Sequence, residues 1–297
     1  MASSLIESGT RALRDLAGAV TPMALRKLQN EIDQRVEKVP SQLNEYGYDP
    51  YGLHPDWVRS SVLPAAILYR YYFRAETFDI ERVPEGRVLL IANHAGQLPF
   101  DGMMLSTAML LAADRPRIIR AMAEYWVSRL PFVSPAAARM GSMVGTRENC
   151  THMLDAGECV AAFPEGVRGM NKLYSQRYEL QRFGLGFLRL ALATDTPIVP
   201  VAIVGSEDQQ PAFANLERLA SALGMPAFPI TPTFPLLGPL GLLPMPVKYR
   251  IYFGEALRFE GDPSDEDALI ERKVERVKRS ITKMFARGLK ERAGIFR

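Results

Sequence analysis

Cysteine, tryptophan and histidine are the scarce residues in this chain, with two, two and three copies in 297 residues. Two thiols, Cys150 and Cys159, give no disulfide framework, and the N-terminus lacks the basic stretch and apolar run of a secretory signal. The expected setting is therefore a reducing cytosol. Cys150, His152 and Cys159 fall on or beside one helical stretch without a second pair of ligands, so no metal site is expected. His54, in "GLHPDW", reads as a loop residue. A Gly-x-Ser-x-Gly elbow is absent, since Ser206 in "VGSED" lacks the second glycine, and this excludes a serine nucleophile of that type. The net charge of +3 is too small to argue for nucleic acid.

One long stretch has no charge at all. Residues 219 to 247, "LASALGMPAFPITPTFPLLGPLGLLPMPV", exceed the ~20 residues needed to span a bilayer, but seven prolines forbid a regular helix through most of them. Two readings stand: a Pro-rich loop packed on the core, or an apolar surface that dips into lipid or lines an acyl-chain groove. Charge collects instead at the C-terminus. Residues 264 to 297 hold ten Lys/Arg against six Asp/Glu, which leaves −1 for the first 263 residues. A solvated helix face explains this, and a contact with an anionic surface is the alternative.

Composition is otherwise that of a globular protein, 47% hydrophobic and 23% charged. Leu25, Leu28, Ile32, Val36 and Val39 recur at helical spacing over 22 to 39, behind Thr21-Pro22. A weaker helix is expected over roughly 4 to 20, and a kinked one from Asp56 through Pro64. The Gly, Pro, Asn and Asp of "NEYGYDPYGLHPDW" make a loop. From about residue 76 strands and helices alternate: strands at 76 to 82, 88 to 92, 117 to 121, 159 to 163, 198 to 204 and 248 to 253, with helices near 101 to 113, 147 to 156, 185 to 194 and 212 to 223. A last helix, 265 to 290, starts with a capping-box pattern at Ser264 and Asp267. The expectation is an α/β fold: a helical region over 1 to 75, then a central mixed, largely parallel sheet flanked by helices over 76 to 297.

Four short blocks carry chemistry. In "VLLIANHAGQLPFDGMML" an apolar strand stops at Asn93-His94, where an α/β sheet offers its ligand site. If Pro99 starts the next helix, Asp101 can reach back and accept the Nδ1 proton of His94, which leaves Nε2 as a base. In "AAFPEGVRG" the strand breaks at Pro164 into Glu165, Gly166 and Arg168; glycine admits a close approach and arginine can grip a phosphate. Basic side chains continue with Lys172, Arg177 and Arg182, which a solvated loop would also explain. In "MVGTREN" Gly145, Thr146 and Arg147 precede a helix, a place for an anion. In "TPIVPVAIVG" Pro200 interrupts an apolar strand, as expected at a sheet edge or beside a ligand.

In this order, "NHAGQLPFD", "GSMVGTR", "FPEGVR" and "IVPV" resemble the motifs of the glycerolipid acyltransferase superfamily, the lysophosphatidic acid acyltransferase-like enzymes. That family's first motif separates His and Asp by four residues; here six separate His94 from Asp101, and position 99 is proline. The resemblance implies acyl transfer from a thioester, acyl-CoA or acyl-ACP as co-substrate with no other cofactor, to a lipid hydroxyl. His94 would be the base and Asp101 its partner. Arg147, Arg168 and Lys172 would hold the acceptor's phosphate, Glu165 would bind a glycerol hydroxyl or fix the arginines, and amides near Gly145 would face the oxyanion. The partners implied are the lipid acceptor, the thioester and the cytoplasmic face of a membrane, not nucleic acid. A neutral glycerolipid acceptor, or a silent lipid-binding protein that keeps the fold, are the alternatives.

Overall fold

The computed structural model describes residues 18–40, 42–96, 98–123, 125–129, 131–222 and 228–297. The helix expected over 4 to 20 lies outside them except for 18 to 20. Helix α1, Pro22–Glu37, starts as its sequence predicts: the Thr21 hydroxyl accepts from the Ala24 amide at 3.2 Å and proline occupies the first turn. Its stripe of Leu28, Ile32 and Val36 is buried. The loop that follows is ordered by Asx turns, with Asn44 Oδ1 accepting from the Tyr46 and Tyr48 amides and Asp49 Oδ1 from those of Tyr51 and Leu53. Asp49 and Glu158 together hold the buried Arg120. Helix α2, Pro55–Ile67, continues past Pro64, which supplies no N–H to the helical ladder, and passes into a π-helical turn over Leu68–Tyr72. Leu28, Ile32 and Val36 share a core cluster with Val58, Val62 and Ala66 of α2 and with Leu110 and Leu111 farther along the chain.

The main sheet is built from β1 (Glu76–Phe78), β2 (Val88–Ala92), β3 (Arg120–Ala123), β4 (Met143–Val144), β5 (Cys159–Ala162), β6 (Ile198–Val204) and, after a two-stranded ribbon, β9 (Arg250–Phe253). Its order is β1-β9-β6-β2-β5-β3-β4. Pairing is parallel everywhere except between β6 and β9, so the sheet is mixed and largely parallel. Helices α3 (Phe100–Leu111), α4 (Val133–Arg139), α5 (Arg147–Asp155), α6 (Val167–Met170), α7 (Gly186–Ala193), α8 (Glu217–Ala222) and α9 (Asp267–Glu291) complete the fold.

The uninterrupted apolar run of β2 follows from burial on both faces. Leu89 and Ile91 join Met153, Leu188, Ile270, Val277 and Ile281 on one side, while Val88, Leu90 and Ala92 join Met104, Leu105, Met109, Tyr69 and Phe73 on the other. Each such leucine or isoleucine contributes roughly 1.5–3 kcal/mol on transfer from water.

Several boundaries differ from expectation. β1 stops at Phe78 because Asp79 turns at φ 62° into a short 3₁₀ turn. The strand expected at 117 to 121 is shifted to Arg120–Ala123. The helix expected over 212 to 223 shrinks to Glu217–Ala222, because Ala214–Asn215 (β7) pairs with Pro229–Ile230 (β8), a partner supplied by the Pro-rich segment. Ser264 does not cap α9. Its amide and hydroxyl both turn back to Asp262, and Glu266 occupies the cap position without a side-chain bond.

Candidate active site

Because β2, β3, β4, β5 and β6 are mutually parallel, the four motif blocks leave the sheet at or along the same set of strands, and His94, Glu165 and Ser206 share the rim at the strands' C-terminal ends. His94 follows β2 directly. Asp101 sits fully buried in the first turn of α3, where the helix N-terminus favours its charge. Its Oδ2 lies 2.7 Å from His94 Nδ1 and also accepts from the Ala95 amide at 2.8 Å, while Oδ1 accepts from the Gly102 amide at 2.7 Å. With Nδ1 protonated toward this carboxylate, the lone pair of the imidazole is on Nε2, which has no partner among the described residues. Within the spacer Gly96 turns at φ 86°, where a Cβ would come within 2.2 Å of Gln209 Nε2. Burial works to lower the His94 pKa, but the Asp101 charge and hydrogen bond, with help from Glu165, outweigh it, and the pKa is raised.

Glu165 lies beneath the histidine. One oxygen accepts from the His94 amide at 2.9 Å; the other accepts from the Gln181 amide at 2.7 Å and faces Lys172 Nζ at 3.3 Å. Its oxygens are therefore spent on the histidine's own backbone and on a lysine, not on arginines. Gly166, at φ 55°, makes the turn. Gly169 has no assigned place in the sequence reading, yet the approach is tightest there: a Cβ would stand 2.7 Å from the His94 carbonyl oxygen and 3.0 Å from its Cβ.

Three expectations are corrected. Lys172 is not a surface cation for phosphate: it is buried, 2.6 Å from Glu207 and 3.3 Å from Glu165. Pro200 neither marks the sheet edge nor lines the site. It is buried inside β6 opposite Ile91, and its missing N–H falls on the β9 side, where the ladder breaks between the Ile198–Leu257 bridge and the Val201–Phe253 pair. The amides of Gly145 and Thr146 do not face an oxyanion, being bonded to Ala123 and Val144 carbonyls at 3.0 and 2.8 Å. Thr146 instead caps α5 through the Asn149 amide. Its neighbour Arg147 follows β4, three strands from β2, about 14 Å away at ~4.8 Å per strand. Arg147 and Arg168 are exposed, and neither makes an ion pair among the described residues.

The largest omission from the sequence reading is the run "SEDQQ" after β6, whose five polar residues are all buried. Asn93, also buried, exchanges hydrogen bonds with the Ile203 amide and carbonyl and so ties the histidine loop to β6. Glu207 pairs with Lys172, and burial pushes its pKa up to about 7 against that partner. Asp208 collects Tyr178, Tyr174 and Arg292. Gln209 accepts from the Tyr249 hydroxyl at 2.6 Å, and Gln210 bridges the Leu98 amide and the Leu242 carbonyl. Locally the run reads as an ordinary polar loop after a strand, and nothing in it signals burial. Cys150 and Cys159 are buried thiols whose pKa burial raises to about 11.

A protein-family model described as Acyltransferase matches residues 74–204. An uncharacterized protein of Mycobacterium tuberculosis is 37% identical over 294 residues, 95% of this chain and 82% of its own length. A DGAT1/2-independent enzyme synthesizing storage lipids from Mus musculus is 23% identical over 220 residues, 73% of this chain and 60% of its own. The crystal structure of the 1-acyl-sn-glycerophosphate (LPA) acyltransferase PlsC from Thermotoga maritima is similar at a TM-score of 0.48 and 17% identity, over 96% of this chain and 90% of that one. The matched span runs through β2 to β6 with the His94–Asp101 pair inside it, so residues 74–204 of this chain belong to the acyltransferase family.

Proposed function

We propose that the protein moves a fatty acyl group from a thioester, on coenzyme A or acyl carrier protein, to a hydroxyl of a lysophospholipid such as lysophosphatidic acid, at the cytoplasmic face of a membrane. The observation that carries this reading is the 2.7 Å contact between His94 Nδ1 and Asp101 Oδ2. His94 Nε2 takes the proton of the acceptor hydroxyl as its oxygen attacks the thioester carbonyl. Asp101 stabilises the imidazolium that forms. The tetrahedral intermediate collapses with cleavage of the C–S bond, and the imidazolium proton passes to the departing thiolate, which leaves an ester and a free thiol. No covalent enzyme intermediate is required, and the co-substrate thioester is the only cofactor in this scheme.

Arg147 and Arg168 are exposed cations without carboxylate partners among the described residues, which suits them to a phosphate. The short Nδ1–Oδ2 contact, made in spite of the six-residue spacer, supports an enzyme over a silent lipid-binding protein that keeps the fold. The storage-lipid enzymes among the relatives favour a second reading, a neutral glycerolipid acceptor such as diacylglycerol. Purified protein offered lysophosphatidic acid, other lysophospholipids and diacylglycerol with each thioester, scored by mass spectrometry, separates these readings. Acylated phosphate-bearing product that vanishes in His94→Ala is the expected result. Product from diacylglycerol alone would overturn the lysophospholipid assignment, and no product from any pair would overturn the enzyme reading.

A further inference from the structure

Between the end of β6 and the start of β9 the uncharged segment closes on itself. The Thr231 amide donates to the Phe234 carbonyl at 2.9 Å and the Thr231 hydroxyl accepts from the Phe234 amide at 2.8 Å. The Thr233 hydroxyl donates to the Gly241 carbonyl at 2.8 Å, so close that a Cβ at Gly241 would stand 2.4 Å from the Thr233 carbonyl oxygen. Phe234 turns inward, 8% exposed, against Phe228. The leucines turn outward: Leu236 is 85% exposed, Leu240 70%, Leu243 62% and Leu237 59%. Thr231 and Thr233 find their partners within this loop while its leucines face solvent, the reverse of an ordinary surface turn.

Its roots lie beside the catalytic loop. The Met245 amide donates to the Gln209 carbonyl, and the Gln210 side chain joins Leu242 on one side to Leu98 on the other. Leu98 and Met103, also exposed, belong to the segment that carries His94 and Asp101. All of this is at the C-terminal rim of the parallel strands, the rim from which the exposed Arg168 also emerges.

We propose that the leucine-tipped loop 231–243 is a bilayer-docking device: Leu236, Leu237, Leu240 and Leu243 enter the acyl region of a membrane, rim arginines meet anionic headgroups, and the His94 site is turned toward the lipid. A lipid surface fits this face better than a protein because an apolar tip without any charge shares its rim with Arg168, an exposed cation without an ion pair among the described residues, and interfacial lipid binding combines these two features. On the basic C-terminal helix, Arg287 is already occupied by Asp79 and Glu291.

The purpose assigned to this surface rests on the lipid-acyltransferase reading, but its test needs neither donor nor acceptor. Flotation of the protein with vesicles of phosphatidylglycerol and phosphatidylethanolamine should show binding that grows with phosphatidylglycerol content and weakens with salt. Changing Leu236, Leu237 and Leu240 together to serine should weaken vesicle binding roughly tenfold or more, since leucine side chains lose their transfer into hydrocarbon. Leu269→Ser, at the start of α9, should leave it unchanged. Thermal unfolding checks that each variant is folded. Unchanged vesicle binding in the folded triple variant overturns the proposal. So does a wild-type dimer in light scattering that the triple variant converts to monomer, because the leucines then cover a second copy. Loss of vesicle binding in the variant, with no acyl transfer from any substrate, would fail the functional reading and leave the docking surface standing.

Discussion

Lys172 and Glu165 stand 3.3 Å apart beneath His94, with Glu165 in turn accepting the histidine's backbone N–H at 2.9 Å. The charges that the sequence displays in a row, Glu165, Arg168 and Lys172, therefore divide: two are buried under the site as supports and one is exposed at its surface. Removing a support and removing a surface cation should have different signatures.

His94→Ala should abolish acyl transfer in a folded protein, a loss of ~10² to 10⁴ in turnover for a general base. Asp101→Asn should be nearly as severe. Steady-state rates on the substrate found by the lipid screen, with circular dichroism as a check of folding, test both. Full turnover in Asp101→Asn with a dead His94→Ala would show that another group orients the imidazole.

The pH dependence follows from the raised His94 pKa. A base acts in its neutral form, so kcat/KM should rise with pH through an apparent pKa above the ordinary histidine value of about 6.5. In Asp101→Asn the carboxylate's contribution is gone and burial, which lowers the pKa, is left, so the residual activity should titrate at lower pH. A rate profile of the two proteins that superimposes would contradict this.

Lys172→Met should destabilise the fold by about 3–5 kcal/mol, because Glu165 and Glu207 are left buried without their cation. The cost depends on pH. Glu207 is already raised from the usual 4.5 to about 7, so it favours the folded state while protonated, and that contribution is lost as pH rises toward and past 7. Without the lysine the loss deepens, so the deficit relative to the unaltered protein should be larger at pH 8 than at pH 5 in urea unfolding. Equal deficits at both would mean that the carboxylates do not respond to Lys172.

Gly169→Ala places a methyl group against the His94 carbonyl and the Glu165 Cβ, at 2.7 and 2.8 Å. The neighbouring backbone must shift, at a cost of about 1–3 kcal/mol. Activity should fall further than stability, since the shift is imposed on the histidine itself. A melting curve and turnover number measured together decide this, and unaltered turnover would show that the approach is not needed.

Arg168→Ala should chiefly raise KM for a phosphate-bearing acceptor, with folding unaffected because the side chain is exposed and supports nothing. A neutral acceptor should respond less. An equal effect on both acceptors would assign Arg168 a structural role.

What the sequence determined is what depends on local order. The unbroken apolar runs of 88–92 and 198–204 require strands buried on both faces, and the stripe Leu28, Ile32, Val36 behind Thr21-Pro22 requires a capped amphipathic helix. The His94–Asp101 pair was also legible, because the two residues are close along the chain and only a turn had to close between them. What only the tertiary structure decided is which polar and apolar side chains are withdrawn from water. Nothing local distinguishes Lys172 from Arg168; Lys172 is buried because Glu207, 35 residues away, comes to meet it. Ser206 to Gln210 are buried because Asn93, Tyr249, Tyr178 and Arg292 converge on them from distant elements, and Phe234 turns in while Leu236 turns out because Phe228 and the threonine bonds close the loop between them. Local periodicity fixes the face a residue presents, but desolvation of a charge is tolerable only where long-range packing delivers a partner, and that delivery is a property of the folded chain.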